Sequence, residues 1–146
     1  TAIYGHYVRE SVATFDVDAP GETFMAEKFG RMVEAGHPVT VAQTPDGSIV
    51  GYAYASTYRP RPAYRFTCED TVYLAPDATG QGIGTALLGF LEAQAAARGV
   101  RSFRLETGSR QLEAIDLYSR AGYARCGPFG GYVEDSNSIF MSKVRD

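Results

Sequence analysis

Val72-Tyr73-Leu74-Ala75-Pro76-Asp77-Ala78-Thr79-Gly80-Gln81-Gly82-Ile83-Gly84-Thr85 decides the fold, because an apolar strand here runs through a glycine-rich turn into a helix. Ile83, Leu87, Leu88, Leu91 and Ala95 then recur at the spacing of one helical face. A turn of this kind leaves the first helical N–H groups unpaired and pointing outward at the positive end of the helix dipole. With no Cβ at Gly80, Gly82 and Gly84, an anion can approach the backbone closely. The stretch predicts a cradle for a pyrophosphate. A tight strand-to-helix turn with no ligand is the competing reading of the same residues.

Two nucleotide-binding signatures do not fit. No Lys-Ser/Thr pair follows the glycines, as a mononucleotide P-loop requires. The dinucleotide fingerprint needs G-x-G-x-x-G early in a βαβ unit, whereas these glycines run G-x-G-x-G behind a hairpin.

Outward from this stretch, the pattern predicts helices over 2–13 and 23–35, the second with Met25, Phe29, Met32 and Val33 on one face and Gly36 as its stop. Strands at 39–44 and 48–58 flank Pro45-Asp46-Gly47, a hairpin turn signal. A strand over 65–74 enters the glycine turn, and the long helix runs to Arg98 with Gly99 behind it. A strand at 101–106 follows, then a helix capped by Ser109 and ended by Gly122, then strands at 123–126 and 138–144.

The 146 residues make one domain, 1–146, able to bury a core. A chain 45% hydrophobic and 21% charged has the composition of a soluble globular protein. Its net charge of −3 comes without a basic stripe, which argues against a nucleic-acid partner. No apolar run is long enough to span a membrane and no segment resembles a signal peptide, so no membrane association is expected. Cys68 and Cys126 lack metal-ligand spacing, so free thiols in a cytoplasmic setting and no metal site are expected.

The strand over 65–74 carries Glu69 and Asp70 side by side among Phe66, Cys68, Val72, Tyr73 and Leu74. Two carboxylates inside a central strand are costly if buried without partners, and strand alternation sends one to each face. Both solvated at a strand end is one reading; a functional carboxylate is the other. Alternation also puts Cys68 opposite Glu69, in the core. His6 and His37 fall in a helix and at a loop start, as structural or solvated residues.

The stretch 72–88 resembles the coenzyme A pyrophosphate motif of the GCN5-related N-acetyltransferases, Q/R-x-x-G-x-G/A after a strand. The motif falls on Thr79, Gly80, Gln81, Gly82, Ile83 and Gly84, with Thr79 replacing the usual Gln or Arg. The resemblance implies an α/β fold with a mixed, mostly antiparallel sheet flanked by helices, and acetyl-CoA as cosubstrate. It puts the pyrophosphate on the amides from Gly80 to Thr85 and the pantetheine along Val72, Tyr73 and Leu74. The family fold opens with a strand before its first helix, so about one strand and its turn, on the order of 10–20 residues, is expected to be missing ahead of Thr1.

The stretch 58–74 resembles the phosphinothricin acetyltransferase branch, close to Y/W-x-x-R-x-A-Y-x-x-T-x-E-x-x-V-Y-V. That resemblance implies Glu69 as general base, taking the amine proton directly or through a water. It implies a small amino-acid-like acceptor such as phosphinothricin, methionine sulfoximine or methionine sulfone, met by Arg59, Arg61, Tyr64 and Thr67. The planar guanidinium fork suits a carboxylate or phosphinate, although two solvated loop arginines read equally well from the residues.

The stretch 114–123 resembles the family motif A-x-x-L-Y-x-x-x-G-F/Y, which implies that Tyr118 protonates the leaving thiolate. Leu112, Ile115 and Tyr118 also share a helical face, so a core tyrosine is the alternative. The phosphinothricin branch often has His at this position. Gln111 stands where many relatives place a coenzyme-contacting Asn.

Beyond residue 98 the resemblance changes. The chain has no tryptophan and so lacks the branch's K-x-G-x-W-x-D stretch. Residues 104–111 and 128–135 resemble another group of small N-acetyltransferases, so a chimera of two such halves is one expectation. The whole implies direct transfer in a ternary complex and a homodimer. An acetyltransferase for a protein N-terminus, a polyamine or an antibiotic amine, and a non-catalytic coenzyme-binding module, are the alternatives.

Overall fold

The computed structural model describes residues 1–146 except Val12 and Phe15. The helices are α1 (Ala2–Glu10), α2 (Glu22–Glu34), α3 (Ile83–Ala97) and α4 (Leu112–Arg120). The strands are β1 (Val39–Gln43), β2 (Ile49–Thr57), β3 (Thr67–Leu74), β4 (Ser102–Gly108), β5 (Ala124–Cys126) and β6 (Ser138–Val144), in one sheet of order β1-β2-β3-β4-β6-β5. Every neighbouring pair is antiparallel except β3 with β4. This is the expected mixed, mostly antiparallel sheet flanked by helices.

The parallel pair positions the site. β3 and β4 pair only at Thr67↔Ser102, Cys68↔Phe103 and Glu69↔Arg104. β2 meanwhile holds β3 in register as far as Gly51↔Leu74, and β6 holds β4 as far as Gly108↔Ser138. Each strand is therefore fully paired on its outer side while the two part from Asp70 and Leu105 onward. A wedge opens in the middle of the sheet, with unpaired backbone on both of its walls.

The core lies between the sheet and α3. Leu87, Leu88, Leu91 and Ala95 pack over Ala53, Ala55, Cys68, Phe103, Leu105 and Met141. Leu91, Ala95, Phe103 and Leu105 are wholly buried, and such side chains contribute roughly 1.5–3 kcal/mol each for the larger ones. A Cβ at Gly51 would lie 2.7 Å from Leu74 Cδ2 and 3.0 Å from Leu87 Cδ1, so glycine lets α3 settle on β2. The other face carries a tyrosine row. Tyr52 and Tyr73 sit with ring centroids 5.6 Å apart, Phe29 of α2 lies 5.7 Å from Tyr52, and Tyr4 and Tyr7 of α1 each lie 5.3 Å from Tyr73.

Three expected boundaries are corrected. α1 stops at Glu10, where Ser11 turns extended; Val12, inside the expected helix, lies outside the described residues. β3 starts at Thr67 and not at Arg65, because a 3-10 turn over Pro62–Tyr64 holds Arg65 in a helical conformation, its N–H donating to the Pro62 carbonyl. α4 is preceded by Gln111 and is not capped by the Ser109 side chain. The Ser109 and Gln111 N–H groups donate to the Asn137 and Gly108 carbonyls, forming a turn of their own. Among the described residues, no helix is long and apolar enough to cross a membrane.

Candidate active site

The wedge opens into a cleft of about 600 Å³. At one end lie Thr79, Gly80, Gly82, Gly84 and Thr85; Val72, Tyr73 and Leu74 form the β3 wall; Gln111, Leu117 and Tyr118 come from α4 and the turn before it; Glu69, Asp70, Glu106 and Tyr132 complete the lining.

The glycines do different work. Gly80 and Gly82 hold φ of 71° and 79°, left-handed backbone that other residues adopt at a cost of roughly 1–2 kcal/mol. A Cβ at either would meet no described atom within 4 Å, so among the described residues the space before their backbone is open. Gly84 instead serves packing, since a Cβ there would come within 3.2 Å of Leu117 Cδ2. The first α3 bond from the N-cap runs from the Ala86 N–H to the Gly82 carbonyl at 3.1 Å, and no side chain caps the helix. The preceding α3 amides have no partner among the described residues, and open amides at a helix start form a donor set suited to an anion.

Two residues expected at the coenzyme lie off the cleft lining. The Gln81 side chain donates to the Asp77 carbonyl at 2.9 Å, and Ile83 packs against the core. Thr79 stays on the lining, its hydroxyl donating to the Pro76 carbonyl at 3.2 Å.

Glu69 and Asp70 face opposite sides of the sheet, as alternation requires. Glu69 Oε1 accepts a hydrogen bond from the Tyr132 phenol at 2.8 Å. Burial raises the Glu69 carboxyl above the usual range; the Tyr132 bond works against that, and the Glu106 carboxylate adds to it. Asp70 is deeply buried, accepting from the Tyr123 phenol at 2.5 Å and the Cys68 thiol at 3.3 Å. Burial pushes Asp70 up to about 7 despite both bonds. A second buried pair lies close by, Lys143 donating to Glu92 Oε2 and to the Ala121 carbonyl at 2.6 and 2.7 Å.

Tyr118 is 5% exposed, its ring 5.5 Å from that of Tyr123. Burial first, and then the Asp70 carboxylate, raise its phenol, so it keeps its proton at neutral pH. Its hydroxyl makes no hydrogen bond to another described residue, while its backbone carbonyl accepts from the Tyr123 N–H at 3.0 Å.

The structure brings Glu69, Tyr118, Val72, Tyr73, Leu74, Thr79, Gly80, Gly82, Gly84, Thr85 and Gln111 onto one cleft, but not Arg59, Arg61, Tyr64 or Thr67. Arg59 leans on the loop before β6, its Nη2 3.3 Å from where a Gly131 Cβ would be. Tyr58 packs edge-on against Tyr64 and Phe129, with centroids at 5.1 and 5.6 Å. Sequence reasoning missed Tyr132, Asp70 as a cleft residue, and Tyr7, whose phenol donates to the Leu74 carbonyl at 2.6 Å. Only the adjacency of Glu69 and Asp70 signalled any of these beforehand.

One cleft thus joins the uncapped start of α3 to a carboxylate and a phenol across the split between β3 and β4. The chain belongs to the Acetyltransferase (GNAT) family, which matches residues 3–123. It is 43% identical over 128 residues to a phosphinothricin N-acetyltransferase of Alcaligenes faecalis, covering 87% of this chain and 64% of that protein. The L-methionine sulfoximine/L-methionine sulfone acetyltransferase of Pseudomonas aeruginosa is 29% identical over 126 residues, 86% of this chain and 73% of that one. A solved phosphinothricin acetyltransferase from Sinorhizobium meliloti, in complex with acetyl-CoA, superposes with a TM-score of 0.88 at 36% identity, over 99% of this chain and 80% of that one. Matches of 126 and 128 residues cannot fit within the first 98, so the similarity runs through both expected halves and the chimera is set aside.

Proposed function

We propose that this protein transfers an acetyl group from acetyl-CoA to the primary amine of a small amino-acid-like acceptor of the phosphinothricin, methionine sulfoximine or methionine sulfone type. The observation that carries the reading is the single cleft joining the uncapped start of α3 to the Glu69 carboxylate across the parted strands β3 and β4. The relatives' substrates give the acceptor class.

Acetyl-CoA supplies the activated acyl group as a thioester. The open amides after Gly82 would hold its pyrophosphate, and the exposed β3 edge from Val72 to Leu74 its pantetheine arm. Glu69 Oε1 is engaged by Tyr132, while Oε2 has no partner among the described residues. Oε2 therefore takes the proton of the acceptor nitrogen, and its raised pKa makes it a stronger base than a solvated carboxylate. Tyr118, kept protonated by burial, gives its proton to the departing sulfur. A C–N bond forms, a C–S bond breaks, and no acetyl-enzyme is needed, since the buried Cys68 thiol is tied to Asp70.

Arg61 is the cation assigned to the acceptor's carboxylate. It is exposed and makes no ion pair among the described residues. Its loop connects to the base through ring contacts from Tyr58 to Phe129 and from Phe129 to Tyr132. Two free cysteines accord with a cytoplasmic setting. Exposed Val41 and Ile49 offer apolar surface to a homodimer.

The test is coenzyme-thiol release with phosphinothricin, methionine sulfoximine, methionine sulfone and carboxylate-free amines. Turnover confined to the first three supports the reading. Turnover only with carboxylate-free amines overturns the acceptor class, and no turnover with any amine overturns the activity.

A further inference from the structure

The loop over 127–137 reaches back across the sheet and sets the Tyr132 phenol on Glu69 Oε1 at 2.8 Å. Three features hold that phenol in place. The Tyr132 ring packs against Phe129 and Phe140 with centroids at 5.4 and 5.5 Å, and Phe140 is anchored in β6. Gly130, at φ 66°, turns the loop so tightly over the β2 end that a Cβ there would lie 2.8 Å from the Tyr58 hydroxyl oxygen. Arg59 lies under the same turn, with Nη2 and Nε 3.2 and 3.3 Å from that Cβ position.

The groups around Glu69 leave Tyr132 a distinct task. From β4, Glu106 opposes ionisation, and its own Oε1 is held by the Ser138 hydroxyl at 2.6 Å. Arg104 is in register with Glu69, yet its guanidinium lies over the Tyr58 and Phe129 rings at 5.2 and 5.3 Å. From β2, Ser56 reaches only the Glu69 backbone carbonyl, at 3.5 Å. Among these neighbours Tyr132 alone donates a hydrogen bond to the carboxylate.

We propose that Tyr132 is a positioning residue for Glu69, fixing which carboxylate oxygen meets the acceptor and setting the pH range over which the carboxylate can accept a proton, with Arg59 bracing the loop that delivers it. As a kinetic statement this rests on Glu69 being the base; as a statement about the carboxylate it does not. A phenol O–H stabilises the charged form of the carboxyl it touches, so its removal lets burial and Glu106 act unopposed. A tyrosine with only a packing role would leave the carboxyl's titration unchanged once the ring was retained.

The test is a side-chain carboxyl ¹³C-NMR titration of the full chain, with the Glu69 signal assigned by its loss in Glu69→Gln. Tyr132→Phe keeps the ring contacts with Phe129 and Phe140 and removes only the hydroxyl. The expected result is a Glu69 carboxyl that titrates at higher pH in Tyr132→Phe than in the wild type, with acetyl transfer at neutral pH reduced on the order of tenfold. Arg59→Ala should move the titration in the same direction by loosening the turn. An unchanged Glu69 titration in Tyr132→Phe overturns the proposal. If Tyr132→Phe moves the titration while Glu69→Gln still turns over normally, the assignment of Glu69 as base fails and the kinetic part of the proposal fails with it.

Discussion

Glu69 and Asp70, adjacent in β3, project to opposite faces of the sheet and meet opposite fates: one accepts from the Tyr132 phenol of the loop before β6, the other is buried and held by Tyr123 and Cys68. Their different surroundings push both carboxyls upward, Asp70 as far as about 7. Two neighbouring acids thus become separable by experiment.

Asp70 makes stability depend on pH. Its folded pKa of about 7 lies above the ordinary carboxyl value of 3.8, so the folded state binds more protons than the unfolded chain between those values. The contribution is fully present below about pH 4, falls as pH rises toward 7, and is lost above it. Asp70→Asn should remove that slope. Denaturant unfolding at pH 5 and pH 8 checks it: the wild type should lose stability across this interval relative to Asp70→Asn, and parallel changes would contradict the assignment.

Gly82 tests the cradle. Acetyl-CoA should raise the melting temperature of the wild type by mass action. Gly82→Ala carries the strain of the left-handed backbone without added charge, whereas Gly82→Asp adds a carboxylate in front of the α3 amides. Gly82→Asp should abolish the ligand-induced shift, and Gly82→Ala should weaken it less. Equal retention in both would place the coenzyme elsewhere.

Tyr118 separates proton donation from packing. Tyr118→Phe keeps the buried ring and removes a hydroxyl with no hydrogen-bond partner among the described residues, so stability should change by less than about 1 kcal/mol. Turnover should fall about 10²-fold, the lower end of what a positioned acid contributes. A variant with wild-type turnover would leave Tyr118 as a core residue.

Arg61 reports on the acceptor. Arg61→Ala should raise KM for phosphinothricin-type acceptors by roughly 10- to 100-fold, the loss of one charge-assisted pair of about 1.5–3 kcal/mol. Coenzyme affinity should not change. A KM that stays put returns Arg61 to the solvent.

What the chain discloses on inspection is what is local. The strand, glycine turn and helix from Val72 to Ala97 are contiguous, and hydrophobic spacing with glycine placement is enough to read them. Glu69 was conspicuous because two carboxylates interrupt an apolar strand. Tyr132 was not, because 63 residues separate it from Glu69 and only the β4–β6 pairing brings the loop back. The Asp70–Tyr123 bond spans 53 residues and depends on α4 folding over the sheet. The cleft itself arises from where pairing stops between β3 and β4, a property of the outer strands that no single segment encodes. Arg59 looked like a ligand for an anion because its charge is visible and its packing under Gly130 and Gly131 is not.

The most direct test of the account is the turnover of Glu69→Gln, measured alongside its acetyl-CoA affinity. The substitution preserves shape and a partner for Tyr132 while removing the proton acceptor. Turnover at neutral pH should fall about 10²–10⁴-fold, the contribution of a general base, with coenzyme affinity near the wild-type value. A turnover within a few-fold of wild type would contradict the account and make Glu69 a structural carboxylate.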